Sequence, residues 1–91
     1  MKDFKNKVAV ITGAGSGMGR YLAILLAKAG ANLAICEINE ETLSETNNLL
    51  QKYPVNISCH VIDVADKAAI EKLPVLVKDH HGHIDLVFNN A

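Results

Sequence analysis

Thr12-Gly13-Ala14-Gly15-Ser16-Gly17-Met18-Gly19 is the stretch on which the fold turns. Glycine takes every second position from Gly13 to Gly19. Before it, residues 7–12 (KVAVIT) form a continuous apolar run, the mark of a strand buried on both faces. After it, Met18, Leu22, Leu25, Leu26 and Ala29 recur at helical spacing, and Gly30 follows as a C′ residue. A glycine-rich turn between strand and helix suits a phosphate. Glycine admits positive φ and lets the backbone approach a ligand with no Cβ in the way. The helix N-terminus adds unpaired N–H groups and a partial positive charge.

Outward from the turn, apolar runs and helical patterns alternate. Residues 32–37 (NLAICE) read as a second strand. Asn39 is a good N-cap, and Glu40 and Glu41 suit the positive end of the helix behind it. That helix is expected to reach about Tyr53 and to stop before Pro54. Residues 55–62 (VNISCHVI) make a third strand. Asp66 caps a third helix from Lys67 to about His81, within which Pro74 is expected to split, kink or restart the helix, and Gly82 ends it. Residues 84–89 (IDLVFN) make the fourth strand. The order βαβαβαβ predicts an α/β fold: one domain with a Rossmann-type parallel sheet, strand order 3-2-1-4, in three layers.

Length and composition agree with one domain: 91 residues, 49% hydrophobic, net charge -1. Near-neutral charge gives no reason to expect nucleic acid or an anionic membrane as partner. Aromatics are 4% and Trp is absent, so base-stacking platforms are not expected. No apolar run is long enough for a bilayer, and the polar start reads as a cytoplasmic protein without a signal peptide. Cys36 and Cys59 fall in strands expected to be buried and are read as inert thiols. His80, His81 and His83 cluster around Gly82 near Asp79 and Asp85; a helix C-terminus favours His through its dipole, and no metal site is expected. His60 reads as structural.

The glycine spacing discriminates between phosphate turns. A strict GxGxxG from Gly13 needs glycine where Met18 stands, and one from Gly15 needs it where Arg20 stands. The P-loop ending GK[ST] is absent. The pattern that fits is T-G-x-x-x-G-x-G, from Thr12 through Gly19. On this motif the chain resembles the short-chain dehydrogenase/reductase family. Val8-Ala9-Val10-Ile11 before the turn, Asp63-Val64 after the third strand and Asn89-Asn90-Ala91 after the fourth resemble further landmarks of that family, in order, so the resemblance spans the chain.

The resemblance implies a dinucleotide held by the turn through Gly13, Gly15, Ser16, Gly17, Met18 and Gly19. An acidic residue roughly 20 positions beyond the glycines bonds the adenosine ribose hydroxyls in Rossmann units, and Glu37 stands there. Its carboxylate accepts from a 2′-OH and repels a 2′-phosphate. Family members that use NADP carry a basic residue where Ser16 or Ile38 stands here, so NAD is expected rather than NADP. Arg20 is read as an exposed helix residue, with a phosphate contact as the competing reading. Asp63 and Val64 are expected at the adenine, against a reading of Asp63 as a turn-forming strand end. Asn90 and Ala91 are expected beside the cofactor's ribose.

The family's chemistry runs on a Tyr and a Lys in Y-x-x-x-K. Here Tyr21 is followed at that spacing by Leu25, and Tyr53 by Ile57. No catalytic residue is therefore expected, and the chain reads as the cofactor-binding half of an oxidoreductase acting on an alcohol or ketone, truncated before the catalytic half. Two competing readings are a non-enzymatic module that binds nucleotide or self-associates, and a turn holding S-adenosylmethionine or FAD. The apolar fourth strand is expected to be an exposed sheet edge, which favours a homo-oligomer.

Overall fold

A computed structural model describes residues 3–90. Ala91, expected beside the ribose, lies outside the described residues. The elements are β1 (Val8–Thr12), α1 (Gly17–Lys28), β2 (Asn32–Glu37), α2 (Glu40–Leu50), β3 (Ile57–Val61), α3 (Lys67–His81) and β4 (Leu86–Asn89). All pairings are parallel, and the sheet order is β3-β2-β1-β4. The expected Rossmann-type topology is observed.

The apolar run of β1 is explained by its place. All five of its residues are buried. Ala9 and Ile11 pack with Leu33 and Ile35 of β2 against Ala23, Leu26 and Ala27 of α1 and Leu43 and Leu50 of α2. Val8 and Val10 turn the other way, joining Ala34 and Cys36 of β2 under Leu73 and Val77 of α3. Successive strand residues thus feed opposite cores, and the molecule has three layers with two helices on one face and one on the other.

Gly30 sits just past α1 with φ +95. Its N–H donates to the Ala27 carbonyl and that of Ala31 to the Leu26 carbonyl, a Schellman closure. Asn39 caps α2 by accepting from the Thr42 N–H, and Asp66 caps α3 by accepting from the Ala69 N–H. At the foot of the sheet, the Val8 N–H donates to the Asp85 carboxylate and the Asp85 N–H to the Val8 carbonyl, each at 2.9 Å.

Three expectations need correction. The second helix ends at Leu50, short of Tyr53; its last turn tightens as the Gln51 N–H donates to the Asn48 carbonyl and the Tyr53 N–H to that of Leu50, while Pro54 disfavours helix at Tyr53. Pro74 does not divide the third helix, which runs unbroken from Lys67 to His81. Proline removes one donor from the ladder, and the burial of Leu73 and Val77 on either side of that defect holds the helix to the sheet. Cys59 is exposed, although Cys36 is buried as expected. Central β2 has strands on both sides, whereas β3 is an outer strand; its buried face is the polar one, carrying Ser58 and His60, and Cys59 and Val61 share the open face.

Candidate functional site

The C-terminal ends of the four strands open onto a groove of about 520 Å³, lined by Gly13, Ser16, Gly17, Met18, Glu37, Ile38, Ile62, Asp63, Val64 and Asn90. Parallel sheets place ligands at this edge, beside the point where the strand order reverses. Here that point lies between β1 and β4.

The glycines build the turn by different means. Gly13 and Gly17 have φ +64 and +58, a left-handed backbone. Gly15 and Gly19 are set by space. A Cβ on Gly15 would stand 2.4 Å from Thr42 Oγ1 and 2.6 Å from Glu37 Cγ; one on Gly19 would stand 2.0 Å from the Gly13 carbonyl oxygen. Gly19 therefore lets α1 begin tight under the turn. Ser16 holds the N-cap position without a side-chain cap bond, and the first turn of α1 carries no acidic residue. The helix end thus presents its N–H dipoles to the groove uncompensated.

Thr12 ties the turn to β4. Its hydroxyl donates to Asn89 Oδ1 at 2.8 Å and accepts from the Asn90 N–H at 3.0 Å. Asn90 is thereby held against the turn, its Nδ2 2.9 Å from where a Gly19 Cβ would be.

Glu37 ends β2 on the groove wall. Its Oε1 accepts from the Gly15 N–H at 2.9 Å, and its Oε2 accepts from the N–H groups of Ile38 and Asn39 at 3.2 and 3.3 Å. The carboxylate is thus fixed by backbone donors on one side while it lines the groove on the other. Asp63 Oδ1 accepts from the Ala65 N–H, and its carbonyl accepts from the Asp66 N–H. Asp63 therefore makes the turn into α3 and lines the groove as well. Met18, Ile38 and Val64 are large apolar side chains left exposed around the opening.

The expected residues Gly13, Ser16, Gly17, Met18, Glu37, Ile38, Asp63, Val64 and Asn90 are brought together; Gly15 and Gly19 lie behind the lining, as packing positions. Ile62 was missed, because the apolar end of a strand reads as core. Arg20 is corrected. It is neither a solvated helix residue nor part of the groove wall: its guanidinium donates to the carbonyls of Gly15 and Thr42, to Thr46 Oγ1 and to Glu45. Thr46, fully buried, was also missed; its hydroxyl donates to the Ala14 carbonyl at 2.8 Å. A threonine at a helical position carries no mark of a partner 32 residues away.

The histidines lie outside the groove lining, His60 on the outer strand β3 and His81 and His83 at the end of α3 and beyond it. Ser58 Oγ stands 2.9 Å from His60 Nε2 and 2.8 Å from His81 Nε2, and His83 bonds Asp85 and the Asn6 carbonyl. Among the described residues no helix is long and apolar enough to cross a membrane.

Comparison with known proteins follows the same outline. The family model for short chain dehydrogenase matches residues 7–91. The chain is 40% identical over 91 residues to the putative oxidoreductase SadH of Mycobacterium tuberculosis, covering all of this chain and 33% of that protein. To the uncharacterized oxidoreductase YxbG of Bacillus subtilis it is 36% identical, with the same coverage. Among solved structures, an NAD+-bound xylitol dehydrogenase superposes with TM-score 0.95 at 33% identity, over 99% of this chain and 35% of that one. A short-chain dehydrogenase/reductase of Burkholderia phymatum in complex with NAD gives TM-score 0.91 at 36% identity, over 100% of this chain and 32% of that one. The chain thus spans about a third of the length of the relatives it matches. With its glycine turn, sheet order and strand-end acid in place, and a family model matched along nearly all of it, this chain belongs to the short-chain dehydrogenase family of oxidoreductases.

Proposed function

We propose that this chain is the cofactor-holding part of an NAD-dependent short-chain oxidoreductase that interconverts an alcohol and a ketone. One observation carries the reading: an uncompensated helix N-terminus, a strand-end carboxylate and a ring of exposed apolar side chains face one another across a single groove. These residues fit a dinucleotide. The N–H groups of Gly17, Met18 and Gly19 at the start of α1 suit a pyrophosphate. Glu37, at the end of β2, suits the adenosine ribose hydroxyls as an acceptor. Asp63 and Val64 suit an adenine edge and face, with Ile38 and Ile62 completing an apolar slot. Asn90 lines the groove on the β4 side and suits the ribose nearer the reacting ring, together with Ala91.

NAD rather than NADP follows from charge. Glu37 would face a 2′-phosphate like-charged, and the flanking Ser16 and Ile38 supply no cation. The NAD-bound relatives agree with this preference. The nicotinamide, when bound, supplies hydride transfer. This chain's residues bind and orient it: the helix end neutralises phosphate charge, and the groove wall excludes water from one face of the cofactor. Tyr21 lies on α1 and Tyr53 at the far end of the sheet, and neither is assigned a proton-transfer role. The small-molecule substrate is taken to meet the cofactor outside these residues.

Two-dimensional NMR of the 15N-labelled chain titrated with NADH tests the reading. The largest shifts are expected at Gly17–Gly19, Glu37–Ile38, Asp63–Val64 and Asn90. Shifts confined to the opposite edge of the sheet, around Asn6, Tyr53 and His83, or none at millimolar NADH, would contradict it.

A further inference from the structure

Ala14 and Gly15, at the centre of the turn, have every backbone polar group taken by the protein itself. The Ala14 N–H donates to the Cys36 carbonyl at 3.0 Å, and the Ala14 carbonyl accepts from Thr46 Oγ1 at 2.8 Å. The Gly15 N–H donates to Glu37 Oε1 at 2.9 Å, and the Gly15 carbonyl accepts from Arg20 Nη2. Arg20 does more than close that set. Its Nε donates to Thr46 Oγ1 at 2.8 Å, the same hydroxyl that holds Ala14, and its Nη2 reaches the Thr42 carbonyl at 3.2 Å and Glu45 Oε1 at 3.1 Å. One planar guanidinium thus ties the turn, the second turn of α1 and the body of α2 together. The side chain is mostly covered, at 26% exposure, whereas Glu45 at 54% is its solvent arm.

We propose that Arg20 is a positioning residue of the cofactor groove: with Glu37 it fixes Gly15 at both its N–H and its carbonyl, and so sets the turn for either dinucleotide instead of reading a phosphate. The inference rests on the cofactor reading above and deepens it. Two physical points support it. A fork of five donors can satisfy several acceptors in one plane, which an ammonium cannot. Its Nε and Nη2 are given over to two carbonyls, a hydroxyl and a carboxylate on the side of the turn and α2, and Arg20 is not among the residues that line the groove where a 2′-phosphate would sit. The division of labour along the turn follows. Residues 14 and 15 are anchor, and the N–H groups left for a ligand are those at the start of α1. Glu37 then serves both parts, holding the anchor with Oε1 while it lines the groove.

The test is cofactor binding and amide exchange in Arg20→Lys and Arg20→Ala beside the unaltered chain. Both variants are expected to weaken NADH about tenfold or more, the scale of a lost charge-assisted bond, and to weaken NADPH by the same factor, leaving the ratio of the two affinities unchanged. Arg20→Lys, which keeps the charge, is expected not to rescue. Loss of NADPH binding with NADH untouched would show that Arg20 reads phosphate and would overturn the proposal; so would unchanged affinities in a folded variant. Exchange in the unaltered, cofactor-free chain needs no variant to fold. Ala14 and Gly15 amides are expected to be protected, and Gly17 and Met18 amides to exchange fast; uniform exchange across residues 14–19 would overturn the anchor. Should the unaltered chain bind neither cofactor, the cofactor reading fails while the exchange pattern still decides whether Arg20 and Glu37 fix Gly15.

Discussion

A methyl group at Gly19 and one at Gly17 should have very different effects, although the two glycines look alike in sequence. The added Cβ at Gly19 meets the Gly13 carbonyl at 2.0 Å, and that oxygen belongs to backbone that cannot rotate away. At Gly17 nothing lies within 4 Å, and only the φ of +58 opposes a side chain. Gly19→Ala is expected to cost about 3 kcal/mol or more, the upper range of overpacking, and Gly17→Ala about 1 kcal/mol, a single left-handed residue. Urea denaturation midpoints rank the two, and equal costs would contradict the geometry. The thiols give a second check at this scale. Burial, with a smaller contribution from Cys59, pushes the Cys36 thiol up to about 12, while Cys59 is exposed with its own thiol raised by partial burial. A thiol reagent is expected to label Cys59 slowly and Cys36 only on unfolding; two labels on the native chain would refute this. The motif's spacing was legible in the sequence because glycine has few other reasons to recur at such intervals. The partners of Arg20 were not, since a hydrogen bond to residues 22 to 26 positions away leaves no local pattern.

Among the elements, α3 carries the clearest tension between propensity and packing. Pro74 sits in its interior and deprives the Ile70 carbonyl of its partner. Pro74→Ala restores that donor and is expected to raise stability by about 1–2 kcal/mol, the proline penalty less the entropy returned to the unfolded chain; a lower melting temperature would show that the ring's place in the apolar groove it lines with Ile70, Leu73 and Ile84 matters more. The C-terminal turn of α3 meets β3 through Ser58, which lies between His60 and His81. A hydroxyl has one proton, so at most one of the two imidazoles accepts from it, and charging both would turn that acceptor into a second donor and leave the hydroxyl proton without either ring as partner. Burial is the main cause holding the His60 pKa down, with His80 and His81 adding; burial also lowers that of His81, helped by His80 and His83 and opposed by a backbone bond at Leu33. The folded chain thus binds fewer protons than the unfolded one below the ordinary His value of about 6.5. Their contribution is complete above that value and is lost as pH falls through the lower folded values. Denaturation midpoints should fall as the pH drops below about 6.5, and His60→Gln should flatten the slope; a midpoint that rises on acidification would contradict it. Helix existence was legible from caps and spacing. The polarity of β3 was not, because whether Ser58 or Cys59 faces the core depends on α3, which packs there from further along the chain.

At the scale of the molecule, the sheet is closed unevenly. α1 and α2 cover one face, and α3 alone covers part of the other. Beside β4 this leaves a second groove of about 250 Å³, lined by Val10, Ile70, Leu73, Pro74, Ile84 and Val87 among others, with Val87 exposed on the edge strand. Such an edge pairs readily with another chain, so the 91-residue chain alone is expected to self-associate in sedimentation at high concentration, and Val87→Lys to weaken that association; a monodisperse monomer throughout would rule it out. The parallel order 3-2-1-4 was legible because alternating strands and helices admit few topologies. The substrate was not, since no residue of the groove lining carries a chemistry that singles one out. On the proposed reading, the groove at the strand ends holds a dinucleotide and Glu37 refuses a 2′-phosphate. Calorimetric titration of the chain with NADH and with NADPH, repeated on Glu37→Gln, measures it directly. NADH is expected to bind more tightly than NADPH, with the gap narrowing in Glu37→Gln; tighter binding of NADPH than of NADH by the unaltered chain would refute that role for Glu37.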